Sequence, residues 1–552
     1  MCNTDLCNEK PNQTRIYTDS HCIISINFVA VLICVNLCRT PQLGSLFSVE
    51  VHAQPVLQKA DKPMAQGHFD QHGFPRSPLM RGQVYPCESR GGDRPAPAQA
   101  GVNGTSRLII GLYELPKDDE KLKEIAESGF NLVRVPQDTD TLDRVYKHKL
   151  YAWICLDSTV KLNDNDTKGE QKLAEIINSF KNHPALLVWE LPDEAVWNIW
   201  WSRFGWVFGE QQRELRGRIE AAKSQTSKTN SSELLLLLQR ADDYAQRGLY
   251  TQAEEIYDNL WAKLELKNPH PDWKMSQCPA EADELTDAIA RGCRVVRRLD
   301  PEHIIWQNHA PRNSIRRMWK YNQAVDAVGC DIYPVPFNYG VGHSDLKDTN
   351  LTSVGAYTDR MRQAAPGKSI WMVLQGFGWR DLSESGTTDP DPGKGRRPNL
   401  DETRFMAYDA IVHGANAILY WGTHYVEKDS TLWRDLMKVA RELRALEPAI
   451  LGQYTENMPI AVADETFGSI DGQGPRLMLR KTQGQWLLLA VNECSQGVSF
   501  TISNLPDEME GKTLYRLYSN EAHTVRDGTI HDGIRGSGVH IYATSRNFEA
   551  SP

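Results

Sequence analysis

From residue 107 onward, short apolar runs alternate along the chain with amphipathic segments. Continuous apolar runs are typical of parallel strands buried on both faces, and apolar residues spaced by three and four positions are typical of the helices that cover such strands. The pattern predicts eight strand–helix units, with strands at 107–113, 131–135, 151–156, 185–189, 304–308, 327–333, 370–375 and 417–421. Eight units over about 340 residues are what a closed (β/α)8 barrel requires.

The alternation is interrupted after the fourth strand. Residues from about 200 to 277 have a helical pattern and many charges, and we interpret them as a helical insertion over one rim of the barrel. Within this insertion, residues 241–257 resemble half of a tetratricopeptide unit, although several stacked copies are normally needed for a stable array. A scaffold protein that uses the insertion to contact partners is therefore kept as an alternative hypothesis.

Beyond residue 451 the helical pattern ends, and short strands separated by turns follow. This pattern predicts a small antiparallel β-sandwich. The predicted fold is thus of the α/β class, with a TIM barrel over 105–451 and a C-terminal β-sandwich domain over 452–552. We expect this second domain to support the barrel, because it carries no sequence mark of carbohydrate binding.

The first hundred residues differ from the rest of the chain. The one long apolar run spans 21–38, and Val51-His-Ala53 resembles a small-x-small signal cleavage site. We interpret residues 1–53 as a signal peptide or a membrane anchor, with an untranslocated segment as a third interpretation. Residues 54–104, rich in Pro, Gly, Gln and Arg, are predicted to be a disordered linker. A secreted or periplasmic protein, or a membrane-tethered one, is therefore expected.

Composition narrows the choice of function classes. The net charge of -9 does not indicate a nucleic-acid partner. The 11 cysteines show no C-x-x-C spacing, and the chain has no G-x-S-x-G, H-E-x-x-H or Walker motif. Asp157, His309 and His424 are the candidate metal ligands, but they form no recognised spacing. Neither a metal nor a cofactor is therefore expected.

Acidic residues appear at the end of the fourth predicted strand. An apolar run leads into Trp189-Glu-Leu-Pro-Asp193-Glu194, so these carboxyl groups follow a buried strand directly. In a (β/α)8 barrel the chemistry is found at the carboxyl ends of the strands. Hydrolysis of a glycosidic bond uses two carboxyl groups, one protonated and one ionised. Glu194 is well placed to be the protonated one.

The segment W-E-L-P-D-E resembles the W-x-x-x-N-E motif of the clan A glycoside hydrolases, a superfamily of barrel glycosidases. The resemblance implies that Glu194 is the general acid/base and that Asp193 takes the place of the Asn that binds the sugar 2-hydroxyl group. It also implies a carbohydrate substrate. Asp can accept a hydrogen bond from a hydroxyl group, although its charge changes the local field.

Side chains at other strand ends are candidate sugar contacts. The resemblance implies that Trp421, after strand eight, stacks under the sugar and that Tyr333, after strand six, lies close to the nucleophile. Asn308 and His309 end strand five and offer polar groups suited to hydroxyls. Trp379, shortly after strand seven, is a further candidate for substrate binding.

The chain departs from the family at the nucleophile, which is a Glu at the end of strand seven. Gln375 occupies that position, and an amide cannot form a glycosyl-enzyme ester. Four explanations stay open: another carboxylate such as Asp331 or Glu114, the acidic loop at 381–389, an acetamido group of the substrate, or a non-catalytic carbohydrate-binding barrel. We predict a glycoside hydrolase with Asp331 as the second catalytic group and Gln375 in substrate binding.

Overall fold

The computed structural model describes residues 101–102, 105–225, 231–336, 350–382, 395–454, 458–464 and 474–550. The predicted signal peptide or membrane anchor, and nearly all of the predicted linker, lie outside these residues. Within them, no helix combines the length and the apolar character that crossing a membrane requires. Export and membrane tethering therefore stay predictions.

Eight parallel strands close into a barrel, as the alternating pattern predicted. Each strand pairs with the next along the chain, and β8 pairs with β1 to complete the ring. The barrel strands are β1 Ile109–Leu112, β2 Leu132–Val135, β3 Tyr151–Cys155, β4 Leu186–Glu190, β5 Ile304–His309, β6 Ala327–Ile332, β7 Ser369–Gln375 and β8 Ala417–Trp421. The predicted (β/α)8 fold is confirmed by this closed strand order.

Two apolar layers hold the barrel together. Large side chains of alternate strands fill its interior, where Trp153, Trp306 and Trp371 pack against one another. The opposite strand faces pack against the surrounding helices in the main core. The helices that follow the eight strands are α1 Asp119–Glu127, α2 Thr139–Lys147, α3 Thr167–Phe180, α8 Cys278–Leu299, α9 Ile315–Asn322, α10 Ser353–Ala364, α11 Leu400–Val412 and α12 Thr431–Ile450.

Four further helices stand between β4 and α8, where the insertion was predicted. They are α4 Trp197–Gly205, α5 Gln211–Gln225, α6 Ser231–Gln246 and α7 Tyr250–Lys263. They bury a core of their own that includes Leu238, Tyr257 and Trp261. The segment that resembles half a tetratricopeptide unit covers the end of α6 and the start of α7, which form one helical hairpin. Contact with a partner protein stays a prediction.

The C-terminal domain consists of two antiparallel sheets, in agreement with the predicted β domain. Its strands are β9 Ile460–Ala463, β10 Arg476–Thr482, β11 Gln485–Val491, β12 Val498–Ser503, β13 Thr513–Arg516, β14 Ala522–Thr524, β15 Ile530–Ile534 and β16 Val539–Ala543. The strand orders are β9-β12-β15 and β10-β11-β16-β13-β14. One face of the five-stranded sheet continues the core of the barrel helices, since Leu487 and Leu489 pack there.

Candidate active site

Glu194 is held in an unusual backbone conformation just beyond β4. Its φ is +44°, in the left-handed region that side chains other than glycine rarely adopt. Its N–H donates to the carbonyl of Asn308 at 3.1 Å, and its own carbonyl accepts from the N–H of Asn198 at 3.0 Å. Contacts from β5 and from the start of α4 thus fix a strained residue, an arrangement found at functional sites.

Glu194 and Asp331 form a hydrogen-bonded pair of carboxyl groups. Burial and the neighbouring charge of Asp331 raise the pKa of Glu194 well above its usual value. Burial also raises the pKa of Asp331, to about 6, and the charge of Asp193 acts in the same direction. Like charges at this separation cannot both ionise readily, so the two groups share one proton near neutral pH. Glu194 holds that proton, and Asp331 is the acceptor.

Asn308 and Arg312 surround the pair with hydrogen-bond donors. The amide Nδ2 of Asn308 donates to Oδ1 of Asp193 at 2.9 Å and reaches Oδ1 of Asp331 at 3.5 Å. The guanidinium charge of Arg312 acts on both Glu194 and Asp331 and favours their ionised forms. The predicted site residues Asp193, Glu194, Asn308 and Asp331 are therefore brought together at one place.

The barrel interior next to these residues contains polar side chains, which were not predicted from the sequence. Arg134 forms an ion pair of 2.7 Å with the buried Glu190, and the indole N–H of Trp153 donates to the same carboxylate. Three buried polar atoms of this region have no hydrogen-bond partner within the described part of the chain. They are the hydroxyl of Tyr113, Oε1 of Glu190 and Oδ1 of Asn308. Burying such atoms unpaired costs about 1–3 kcal/mol each, so a ligand rich in hydroxyls would be favoured here.

An aromatic wall lies on one side of the carboxyl pair. Tyr333 stacks on Trp421 with 5.5 Å between ring centroids, and the rings of Phe377 and Trp379 contact Tyr333 edge to face. Charges of Asp331 and Asp193, together with burial, raise the pKa of Tyr333. The three aromatic residues predicted as sugar contacts thus form one wall beside the acids, with Phe377 as an additional member.

Gln375 is fully buried, and its side chain forms hydrogen bonds with the backbone of the loop after β6. Its Oε1 accepts from the N–H of Val335 at 2.9 Å, while its Nε2 donates to the carbonyls of Val335 at 2.7 Å and Phe377 at 3.0 Å. This set of contacts needs one acceptor and two donors, which an amide supplies and a carboxylate does not. The contacts explain the amide at the strand-seven position, and its predicted contact with substrate stays a prediction.

His309 faces away from the carboxyl pair. Successive residues of a strand point to opposite faces, and Asn308 already points toward Asp193. The ring of His309 accordingly lies among the helices, with Nε2 2.7 Å from Oδ1 of Asn322 and an edge-to-face contact with Tyr321. Burial lowers its pKa to about 4, so it stays neutral. The structure therefore does not bring His309 together with the other candidate residues.

The other acidic candidates have local partners. Glu114 forms an ion pair of 2.7 Å with Lys428, and Asp381 forms one of 2.8 Å with Arg397. Glu384 and Asp389 lie outside the described residues. The sequence-based metal candidates are dispersed, since Asp157 contacts Cys155 and His424 packs on Tyr425. Asp331 is thus the acid that the fold brings to Glu194.

A ridge of aromatic side chains leads away from the pair along α4. Trp201 and Phe204 are 38% and 43% exposed and stack with 6.3 Å between centroids, and Trp197 lies 6.2 Å from Trp201. The guanidinium of Arg312 lies over both tryptophans, at 5.1 and 5.9 Å. We call Trp197, Trp201 and Phe204 the aromatic ridge. Arg312 connects it to Glu194 and Asp331.

Glu190, Arg134 and Arg312 were not predicted as site residues from the sequence. A signal existed for two of them, because Arg134 interrupts the apolar run of β2 and Glu190 lies inside the W-E-L-P-D-E segment. A charge in a buried strand requires a partner of opposite sign. For Arg312 there was no such signal, since it lies in a polar loop after β5.

Comparison with known proteins gave matches to solved structures alone. No protein-family model matches the chain, and no curated protein does. A β-galactosidase from Bacillus circulans sp. alkalophilus is 11% identical with a TM-score of 0.45, over 80% of this chain and 99% of that chain. A β-galactosidase from Rahnella sp. R3 is 10% identical with a TM-score of 0.41, over 80% and 98%. An α-amylase from Geobacillus thermoleovorans is 7% identical with a TM-score of 0.42, over 79% and 98%. Likeness at this level carries no conclusion about activity.

Proposed function

We propose that the chain is a glycoside hydrolase in which Glu194 is the general acid and Asp331 its ionised partner. The observation that carries this proposal is the half-buried, interacting pair of carboxyl groups that these two residues form at the carboxyl ends of β4 and β6. A protonated carboxyl at neutral pH can donate to the oxygen of a departing sugar. The stacked Tyr333 and Trp421 offer an apolar surface suited to a sugar ring.

The separation of the pair bears on the route of hydrolysis. Retaining glycosidases keep their two carboxyl groups about 5–5.5 Å apart, and inverting ones about 6.5–9.5 Å. The carboxyl groups of Glu194 and Asp331 interact directly, and Gln375 forms its hydrogen bonds with the backbone. We therefore favour a nucleophile that comes from the substrate, namely the carbonyl oxygen of an acetamido group at C2.

In this route each bond change has a named donor and acceptor. The acetamido oxygen forms a bond to the anomeric carbon while the bond to the leaving oxygen breaks and Glu194 protonates that oxygen. A water oxygen then bonds to the anomeric carbon while the bond from that carbon to the acetamido oxygen breaks, which regenerates the acetamido group, and Glu194 takes up the proton that the water loses. Asp331 accepts a hydrogen bond from the acetamido N–H and offsets the positive charge that forms on it.

The aromatic ridge supports a polymeric substrate. Its rings begin with the half-buried Trp197, three residues after Glu194, and Arg312 links them to the carboxyl pair, so they continue the site along the insertion. Sugars present C–H faces that stack on such rings. A chain of sugars bound at Glu194 would extend over Trp197 and Trp201.

The test is sugar release from polysaccharides and from aryl glycosides that carry either a 2-acetamido or a 2-hydroxyl group. Wild-type protein is compared with Glu194→Gln, Asp331→Asn and the control Glu114→Gln, whose carboxylate pairs with Lys428 instead. We expect turnover of 2-acetamido substrates by the wild type and the control, with near-complete loss in the other two variants. Equal turnover of 2-hydroxyl substrates would reject the substrate-derived nucleophile.

The leaving group offers a second check on Glu194. Loss of a general acid slows substrates with basic leaving groups much more than activated aryl substrates, because activated groups depart without a proton. Equal loss on both kinds of substrate would contradict the assignment. If neither the wild type nor any variant releases sugar, while calorimetry still detects sugar binding, the non-catalytic carbohydrate-binding barrel is favoured.

A further inference from the structure

A second cluster of titratable side chains lies far from Glu194, where the barrel helices meet the C-terminal domain. Asp409 faces it from α11, His413 directly follows that helix, and Glu493 reaches it from the loop after β11. The side chains of Asp409 and His413 are almost fully buried, while that of Glu493 is 35% exposed. The cluster thus joins two domains and has one accessible side.

The three ligand-type atoms converge on a single point. Nε2 of His413 lies 3.1 Å from Oε1 of Glu493 and 3.8 Å from Oδ1 of Asp409, and all three atoms lie within 4.8 Å of one another. A point equidistant from atoms so spaced lies at most about 2.4 Å from each, close to the roughly 2.0–2.2 Å of zinc bonds to nitrogen and oxygen.

Outer partners hold two of these side chains in place. Nδ1 of His413 lies 3.0 Å from Oδ2 of Asp359, which leaves Nε2 to face the cluster. Oδ2 of Asp409 accepts from the N–H of Gly355 at 2.7 Å. Oδ1 of Asp409 is buried and has no hydrogen-bond partner among the described residues. A carboxylate behind a histidine ring is the usual outer support of a metal ligand.

The backbone of α10 approaches the side chains of His413 and Asp409 very closely at Gly355. A Cβ at Gly355 would lie 2.5 Å from Nε2 of His413 and 2.8 Å from Oδ2 of Asp409. Such distances are too short for any side chain, so only glycine lets α10 approach the cluster this closely. The close approach also delivers the N–H that orients Asp409.

The net charge of the cluster depends on the protonation of Asp409 and His413. The carboxyl groups of Asp359, Asp409 and Glu493 face two guanidinium groups, because Arg362 and Arg476 each lie 3.3 Å from Asp359. With all three carboxyl groups ionised and His413 neutral, the cluster has an excess of one negative charge. A cation would balance this excess, and a proton on His413 would do so as well.

We propose that Asp409, His413 and Glu493 bind a divalent first-row transition-metal ion such as Zn²⁺, which joins the barrel to the C-terminal domain. Carboxylate and imidazole ligands suit this class of ion, and the half-exposed Glu493 leaves a coordination position open to water. The site is separate from the carboxyl pair, so the proposal does not depend on glycosidase activity. Asp359 is a positioning residue for His413.

The test measures metal binding directly. Full-length protein is stripped with a chelator, desalted and titrated with Zn²⁺ in a calorimeter, and its metal content is then determined by mass spectrometry. We expect one equivalent of tightly bound Zn²⁺ and a melting temperature that rises with Zn²⁺ concentration, because a ligand that binds only the folded state stabilises it.

Variants separate a metal site from a structural ion pair. Glu493→Gln, at the exposed side, should weaken Zn²⁺ binding more than tenfold and abolish the thermal shift, while Asp359→Asn should weaken binding about 10- to 100-fold. The control Glu521→Gln alters another group of potential ligands, formed with His523 and Asp532, and should bind Zn²⁺ like the wild type. Absence of saturable binding, or unchanged affinity in Glu493→Gln, would overturn the proposal and assign the cluster to a protonated His413.

Discussion

Replacing Asp331 by asparagine is expected to stabilise the fold at neutral pH while it removes turnover. The side chain of Asp331 is half-buried, and desolvation raises its pKa from 3.8 to about 6. A group whose pKa is raised on folding costs stability once it ionises. Asparagine keeps an oxygen that can accept from Glu194 but carries no charge, so it avoids this cost.

The magnitude follows from the pKa difference. A shift of about 2 units corresponds to about 3 kcal/mol, at about 1.4 kcal/mol per unit. The cost is absent below the unfolded pKa of Asp, grows as pH rises through the folded pKa, and is complete above about pH 7. The advantage of Asp331→Asn over the wild type should therefore increase by about 2 kcal/mol between pH 4.5 and pH 7. Because the pair titrates together, this value belongs to Glu194 and Asp331 jointly.

The assay is urea unfolding followed by tryptophan fluorescence at pH 4.5, 5.5 and 7. Asp300→Asn serves as a control of opposite sign, because hydrogen bonds from His303 and Trp189 overcome the effect of burial and lower the pKa of Asp300. That variant should be less stable than the wild type by an amount that changes little between pH 4.5 and 7, because the lowered pKa of Asp300 lies below this range. A stability difference between Asp331→Asn and wild type that does not change with pH would refute the electrostatic argument.

Three further outcomes are expected. Gln375→Glu should lower the free energy of unfolding by about 3–5 kcal/mol, because a carboxylate cannot donate to the two carbonyls to which the amide donates. It should bring no gain in turnover. A variant that is as stable as the wild type in urea unfolding and more active in rate assays would contradict this prediction. Trp201→Ala should lower kcat/KM about three- to tenfold on a polysaccharide and leave a small aryl glycoside unaffected. As a control, Trp319→Ala, which alters an even more exposed ring, should change neither rate. The pH profile of kcat/KM should lose its acid side near pH 6, where Asp331 takes up its proton, and should keep its alkaline side well above the usual range of Glu194; a profile flat from pH 4 to pH 8 would argue against the pair.

Local patterns were sufficient to predict the barrel. A buried parallel strand requires a continuous apolar run, and eight such runs leave few alternatives to closure. The face of the strand to which each side chain points could also have been predicted. Asn308 and His309 are neighbours in β5 and cannot both face the mouth, yet both were proposed as sugar contacts. Strict alternation would have kept one and excluded the other.

Contacts between segments that lie far apart along the chain could not be predicted from the sequence. Gln375 was recognised as a departure, but its reason lies in the backbone of Val335, 40 positions away. The sequence analysis named both Asp331 and Glu114 as the second acid, and only the fold separates them by pairing Glu114 with Lys428. The buried Arg134–Glu190 pair likewise requires knowing which charges of β2 and β4 meet inside the barrel.

The position of the second acid within the barrel connects these observations. Only β5 separates β4 from β6, whereas β7 lies one strand further round the ring. An acid at the end of β6 can therefore reach Glu194 directly. Displacement by one carboxylate with protonation by the other needs room for a sugar ring between the two groups. Because the position on β7 holds an amide that bonds to the loop after β6, the proposed route takes its nucleophile from the substrate, and we expect the substituent at C2 of the sugar to decide whether a substrate is cleaved.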